Sequence, residues 1–311
     1  MTGGAGFVGT ALVRRLAASG AHVTVFDDFS TGSAEAVPDD TAVVCGSMTD
    51  AEAVRRMVAE HPWIFHLAAR NIIASTRNPR EDFETNAAGT LNLLLAARDC
   101  RVQRLVYASS ASIYGNSRTL PIDEGDGVAA LSPYAVSKLA AEQYCVAFYE
   151  SYGVPAAIVR YSNVYGPGQR GGNPYCGVVT KFLAGAAAGR PMQIHGDGQQ
   201  TRDFTFIDDA VEATILAGTH PRAEGEVFNI GTGVETSVIE LARAIARALG
   251  VEAAVEHVDR RDIDNIRRRV LNIEKIRRML RWSPQVALED GLRLTARAQA
   301  QAEAEAGVVG R

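Results

Sequence analysis

The chain has 311 residues, a hydrophobic fraction of 47% and a formal net charge of -4, long enough for one large or two intimate domains and without the basic excess that would point to nucleic acid or an anionic membrane. No apolar run approaches the roughly 20 residues that span a bilayer, and no basic segment leads into an apolar one as in a secretory leader. The four cysteines (Cys45, Cys100, Cys145, Cys176) form no C-x-x-C pair and the six histidines are dispersed, so reduced, mostly buried thiols, a cytoplasmic location and no metal site are expected.

The first element is a loop, Thr2-Gly-Gly-Ala-Gly-Phe-Val-Gly9. Gly3 permits a tight turn, Gly6 lets a pyrophosphate approach the backbone, and Gly9 allows the following helix to pack on a sheet. Val8, Leu12, Val13 and Leu16 recur at helical spacing up to Gly20, where a helix would stop. The segment "AHVTVFDD" then alternates as a short strand ending in Asp27 and Asp28. Loop, helix, strand and terminal acid in that order make a nucleotide-binding βαβ unit. The helix N-terminus meets the phosphates, and Asp27 accepts from the adenosine ribose hydroxyls. No Arg or Lys follows Asp27 to hold a 2′-phosphate, which favours NAD over NADP. Asp28 reads as a solvated loop acid.

The alternation continues. "TAVVCG" reads as a strand, "TDAEAVRRMVAE" as a helix capped by Thr49 or Asp50, and "WIFHLAA" as a buried strand. His66, within it, reads as a satisfied core histidine. "REDFETNAAGTLNLLLAARD" reads as one long amphipathic helix, and "RLVYASSASIYG" as a strand running into a loop. Strands and helices alternating at this pace predict an α/β fold with a parallel, doubly wound sheet, with ligands at the carboxyl ends of its strands.

The chemistry concentrates after that last strand, which ends in Ser109 and Ser110. In "SPYAVSKLAAEQY", Tyr134 and Lys138 are four apart, so both leave one face of a helix. A tyrosine, with its ordinary pKa of about 10, is a poor base at neutral pH. An ammonium beside it and a positive nicotinamide ring both favour the phenolate. Lys138 also suits the nicotinamide ribose hydroxyls, and Ser110 the same substrate oxygen as Tyr134.

The set "TGGAGFVG", "DDFSTG", "HLAA", "N-x-x-GT-x-NLL", "SS-x-x-x-YG", "PYAVSK", "RYSNVYGPGQ", "GDGQQTRDFTFIDD" and "NIGTG" resembles the extended short-chain dehydrogenase/reductases of the NAD-dependent nucleotide-sugar epimerase/dehydratase family, over nearly the whole chain. The resemblance implies a Rossmann-type NAD-binding domain over 1–165, with returns at about 201–233. It also implies a smaller interleaved nucleotide-sugar domain over 166–200 and 234–311. It makes Ser110, Tyr134 and Lys138 catalytic. For NAD it implies Gly3, Gly6, Phe7, Val8, Asp27, Ser47, Met48 and Asn86, together with Tyr134 and Lys138. For a UDP-sugar it implies Ser75, Ser110, Ser112, Asn163, Arg170, Val179 and Arg202. A guanidinium fork at Arg202 suits a diphosphate, and at Arg170 it suits a sugar carboxylate; a surface pair with Asp203 and a solvated loop cation are their plainer alternatives. Ser47 stands where relatives often carry an acid for the adenine amino group, which shifts adenine recognition toward the backbone. Relatives carry an apolar strand before the glycine loop, so the natural N-terminus is expected upstream of Met1. A phosphate-binding arginine is expected in "DRRDIDNIRRRV", with Arg260 and Arg261 as candidates.

The reaction implied depends on the residues after Ser110. Dehydratases of this family place Asp-Glu there, and decarboxylating relatives keep the Glu; here Ala111 and Ser112 stand instead. Without a second proton-transfer pair, 4-epimerisation of a UDP-hexose, UDP-glucose or UDP-glucuronate, is the expected outcome. Another dehydratase or dehydrogenase activity, or a catalytically silent NAD-binding sensor, is the alternative, though intact Ser110, Tyr134 and Lys138 argue against the sensor. The family also implies a homodimer. "GGNPYCGVVTKFLAGAAAGRPMQIHGDGQQ" reads as a helix and a hairpin, "DFTFIDD" and "EVFNIG" as returns to the main sheet, and the Ala/Gln/Glu-rich end as a fraying tail.

Overall fold

The computed structural model describes residues 1–169, 177–260 and 265–309. Its first helix, α1 (Phe7–Ala18), grows straight out of the glycine loop with Gly6 as an extended N-cap. Then follow β1 (Thr24–Asp27), β2 (Ala42–Cys45), α2 (Ala51–Ala59) and β3 (Trp63–His66). Asp50 caps α2, its carboxylate accepting from the amides of Glu52 and Ala53. Next come α3 (Ile72–Arg77), α4 (Pro79–Asp82), a π-helical turn over Phe83–Ala88 and α5 (Gly89–Cys100). The helix expected as one regular stretch is therefore widened in the middle, where Asn86 turns its amide inward to the Arg70 backbone.

β4 (Arg104–Ser110), α6 (Pro133–Tyr152) and β5 (Ala156–Tyr161) complete the first half. Ser132 and Pro133 start α6, and Gly153 in the left-handed region ends it. The second half contains β6 (Asn163–Tyr165), α7 (Val178–Ala187), β7 (Met192–His195), β8 (Thr201–Arg202), β9 (Phe204–Phe206), α8 (Ile207–Thr219), β10 (Val227–Ile230), β11 (Thr236–Ser237), α9 (Val238–Leu249), β12 (Val255–Val258), α10 (Glu274–Leu280) and α11 (Leu288–Val309).

The main sheet is parallel throughout, in the order β2-β1, then the backbone of Met1–Gly3, then β3-β4-β5-β10. Thr2 donates its amide to Phe65 and accepts from Leu67, while Phe26 donates to Met1 and accepts from Gly3. The start of the glycine loop thus lies mid-sheet, between β1 and β3. β4 and β5 are buried almost end to end, as strands covered on both faces must be. Helices α1 and α8 cover one face; α2, α5 and α6 pack on the other.

Several expectations change. "EVFNIG" does rejoin the main sheet through β5, but "FTF" pairs with β6 in a separate two-stranded unit. Among the described residues of that segment no hairpin occurs, and β7 pairs in parallel with the distant β12. The Ala-rich end continues α11 to Val309, since Ala, Gln, Glu and Arg are strong helix formers. Cys145 is buried and Cys100 intermediate, but Cys45 is exposed, since all four residues of the edge strand β2 face solvent; Cys176 lies outside the described residues.

One buried ion pair ties the second face together. Glu142 of α6 and Arg160 of β5 are 0% and 6% exposed along their side chains, with Nη2 2.5 Å and Nε 3.1 and 3.2 Å from the carboxylate. Ser109 of β4 donates to the same carboxylate at 2.6 Å. Arg160 Nη1 reaches the Tyr114 hydroxyl, which donates on to Asn229 of β10. Burial alone would lower the guanidinium's pKa, yet its hydrogen bonds to the Glu142 carboxylate hold it above its usual value. Glu142→Ala would leave that charge buried and uncompensated. The expected result in denaturant unfolding is a loss of about 3–5 kcal/mol; a loss below about 1 kcal/mol would show that the pair does not hold α6 in place.

Candidate active site and cofactor cleft

A cleft of about 230 Å³ opens at the carboxyl ends of β1, β2 and β3. Its walls are the glycine loop with Phe7 and Val8, the acids Asp27 and Asp28, Met48, and the segment Leu67–Arg70. Gly3 takes a φ of +69°, and a Cβ on Gly9 would lie 2.1 Å from the Gly3 carbonyl oxygen and 2.8 Å from the Gly4 Cα. Only glycine allows α1 to start this close to the loop. Asp27 holds the loop as well as facing the cleft: Oδ2 accepts from Ala5 N at 3.0 Å and Oδ1 from Phe29 N at 2.9 Å. Burial pushes its carboxyl up, and those two amides pull it back down.

Asp28 is the exposed loop acid expected, but it has a partner. Arg70 Nη2 lies 3.3 Å from it and 2.6 Å from Glu81, so one guanidinium links the loop after β1 to α4 at the mouth of the cleft. Met48 lines the wall and its carbonyl accepts from Asn92. The Ser47 hydroxyl instead closes the turn before α2, 2.8 Å from the Thr49 hydroxyl and accepting from its amide.

Asn86 and Ser75, expected to touch NAD and the sugar, lie behind the site at 1% and 0% exposure. Asn86 spends its amide on the Arg70 backbone, Asp82 and Ser137. Ser75 donates to Asp82 at 2.5 Å and to the carbonyl of Asn71, the N-cap of α3. Their buried polar groups find each other around the Asp82 carboxylate. Val179 is likewise only 2% exposed, packed in the main core.

At the end of β4, the Ser110 hydroxyl accepts from the Ser112 amide at 3.2 Å and lies 3.1 Å from the Ser112 hydroxyl. Tyr134 and Lys138 rise from the first two turns of α6. Burial pushes the Tyr134 phenol up, and the nearby Asp82 adds to that, while Ser110 and the Arg269 guanidinium pull it down. The Lys138 ammonium does not sit on the phenol; it lies over the ring of Tyr107, 4.3 Å from the centroid. Burial lowers its pKa to about 8. His66 is held between Thr2 and Thr90, and burial lowers it to about 3, as a neutral core histidine.

On the far side, Asn163 begins β6, partly exposed, with only its backbone hydrogen-bonded among the described residues. Arg202 is 8% exposed and Nη1 donates to the carbonyls of Thr201 and Ile266. Asp203 is occupied by Thr232, Gly233 and Leu271. Arg170 and Arg261 lie outside the described residues. Arg260 is exposed beside Gly196, whereas Arg269, not singled out in the sequence, is 4% exposed. Its neighbours Arg267 and Arg268 pair with Asp197 and Glu235 on the surface. Spacing alone gives no signal that separates Arg269 from them. No cluster of metal-binding side chains occurs among the described residues.

The model of the NAD dependent epimerase/dehydratase family matches residues 1–231. A UDP-glucose 4-epimerase of Mycolicibacterium smegmatis is 39% identical over 95% of this chain and 96% of its own length. A UDP-N-acetyl-alpha-D-glucosaminuronate decarboxylase of Bacillus cytotoxicus is 35% identical over 95% of each. The solved structure of the Thermus thermophilus UDP-glucose 4-epimerase in complex with NAD superposes with a TM-score of 0.90 at 35% identity, covering 97% of this chain and 98% of that one. The chain belongs to the NAD-dependent epimerase/dehydratase family, and its fold is the Rossmann-type α/β fold of those enzymes.

The cleft fits the family's cofactor: a glycine cradle with no room for a Cβ opens on the N-terminus of a 12-residue helix, and a carboxylate closes the next strand. Gly9→Ala is expected to abolish NAD retention while the chain still folds. Gly127→Ala, where a Cβ meets nothing within 4 Å, is expected to retain it. Nucleotide released from each purified variant on denaturation measures the difference, and equal release would mean that the cradle does not hold the pyrophosphate.

Proposed function

We propose that this chain catalyses the 4-epimerisation of a UDP-hexose through a transient 4-keto sugar. The observation that carries the reading is the end of β4, where Ser110 is followed by Ala111 and Ser112. Ala111 is 1% exposed and packs with Ile113 and Tyr114, so this turn offers no carboxylic acid to move a second proton. A 4-keto sugar formed here has no partner for dehydration or decarboxylation, and its simplest fate is reduction from the opposite face.

In this reading Tyr134 takes the proton of the C4 hydroxyl and Ser110 hydrogen-bonds the same oxygen. NAD, when bound, supplies the hydride acceptor and returns the hydride. Lys138 orients the nicotinamide ribose, and Asp27 holds the adenosine ribose. Ser112 reaches a sugar hydroxyl, while Asn163 and Arg202 hold the diphosphate. Tyr134, held up by burial, suits the return step as well, since it must give its proton back to the alkoxide. A homodimer belongs to the same reading: Phe83, Leu95, Val136 and Tyr144 leave apolar surface exposed on the π-helical turn, α5 and α6.

The test is to incubate the protein separately with UDP-glucose and UDP-glucuronate and to assay each for its C4 epimer. One epimer without net NADH is expected. Released carbon dioxide, a 4-keto-6-deoxy sugar or accumulating NADH would overturn the reading. Tyr134→Phe is expected to keep its NAD and lose about 10²–10⁴-fold in turnover; undiminished turnover would remove Tyr134 from the mechanism.

A further inference from the structure

Lys138 is buried to 2% exposure, yet among the described residues no carboxylate forms an ion pair with it. The acids nearby are already committed. Glu142, one turn on along α6, is bonded to Arg160 and Ser109. Asp82 of α4 accepts from Ser75, Asn86 and Ser137. The other titratable groups facing Lys138 are Cys145 of α6 and His66 of β3. The Cys145 thiol is pushed up by burial and the His66 imidazole is held neutral. Glu142 and Asp82 favour the charged form only from a distance, and an ammonium taken out of water with no carboxylate in contact is unfavourable unless something else faces it.

What faces it is Tyr107 of β4, three residues before Ser110 and 1% exposed. Its ring centroid lies 4.3 Å from Nζ, and its hydroxyl donates to the Lys138 carbonyl at 3.3 Å. Aromatic faces attract cations most where water is excluded. We propose that Tyr107 is a positioning residue for this site: its ring face holds the Lys138 side chain in place and keeps it charged, in the role a carboxylate plays elsewhere. The value of that charge to turnover rests on the function proposed above; the placement on the ring does not.

The charge is measurable without any substrate. The chain's lysines are Lys138, Lys181 and Lys275, so lysine labelled with carbon-13 at Cε gives a spectrum in which Lys138→Arg identifies the resonance of interest. Titration of the NAD-loaded protein then reads the Lys138 midpoint directly, with Lys181 and Lys275 as internal references. A lost stabiliser of the protonated form lowers the midpoint of a base. Tyr107→Phe, which keeps the ring, is expected to leave the midpoint in place, and Tyr107→Leu to lower it by about one pH unit. Should Tyr107→Leu fail to fold, phenylalanines carrying one, two and three fluorines at position 107 keep the shape and drain the ring face. A midpoint that falls stepwise with fluorine number is expected, and one that does not move overturns the proposal. Failure of the native chain to epimerise a UDP-sugar would sink the proposed function while leaving this titration unaffected.

Discussion

The placement of α6 depends on the pair between Glu142 and Arg160. Tyr134, Lys138 and Glu142 succeed one another at four-residue steps, so they share one stripe of the helix. The last of them is clamped to β5 by a bidentate arginine and to β4 by Ser109. A buried charge pair tolerates little displacement, because neither partner has water to fall back on. The two residues proposed for proton transfer and cofactor orientation therefore inherit their positions from an ion pair one and two turns away.

The sheet imposes the other constraint. All its strands run parallel, so every carboxyl end lies on one edge, and side chains from β1, β3, β4 and the loop before α1 meet there. Within that edge the polar groups serve twice. Asp27 braces the glycine loop through Ala5 while facing the cleft. Arg70 bridges Asp28 and Glu81 while lining the same wall. Asp82, Asn86, Ser75 and Ser137 form a closed set of hydrogen bonds beneath, which keeps the upper layer from sinking.

Much of this was legible in the sequence. Glycine spacing, the acid ending the second element and the Tyr–Lys pair at one helical turn all report local geometry, and local geometry is what a linear pattern encodes. What stayed hidden depends on which residues meet across the chain. Nothing in the spacing of Ser75 and Asn86 told that both would hydrogen-bond the Asp82 carboxylate. Asp28 found Arg70, 42 residues away. Tyr107 read as one more buried strand residue until the fold set Lys138 on its ring. The arginines at 267, 268 and 269 are indistinguishable by type, and only the packing separates the buried one from its paired neighbours.

The π-helical turn over Phe83–Ala88 also sets the phase of the helix that contains it. Each residue of an α-helix advances about 100° around the axis, and a π turn admits one surplus residue without breaking the rod. Here Asp82 and Asn86, four residues apart, both point inward, with the Asn86 amide 2.7 Å from the Asp82 carboxylate, while Phe83 is 60% exposed on the outside. Removing a single residue from this stretch would leave a straighter helix with its apolar stripe intact. The inner amide would then be turned by about a quarter of a revolution, away from the Arg70 backbone it now completes. In this segment chain length acts as an angular setting, and a one-residue deletion would reset it without changing a side chain that meets ligand.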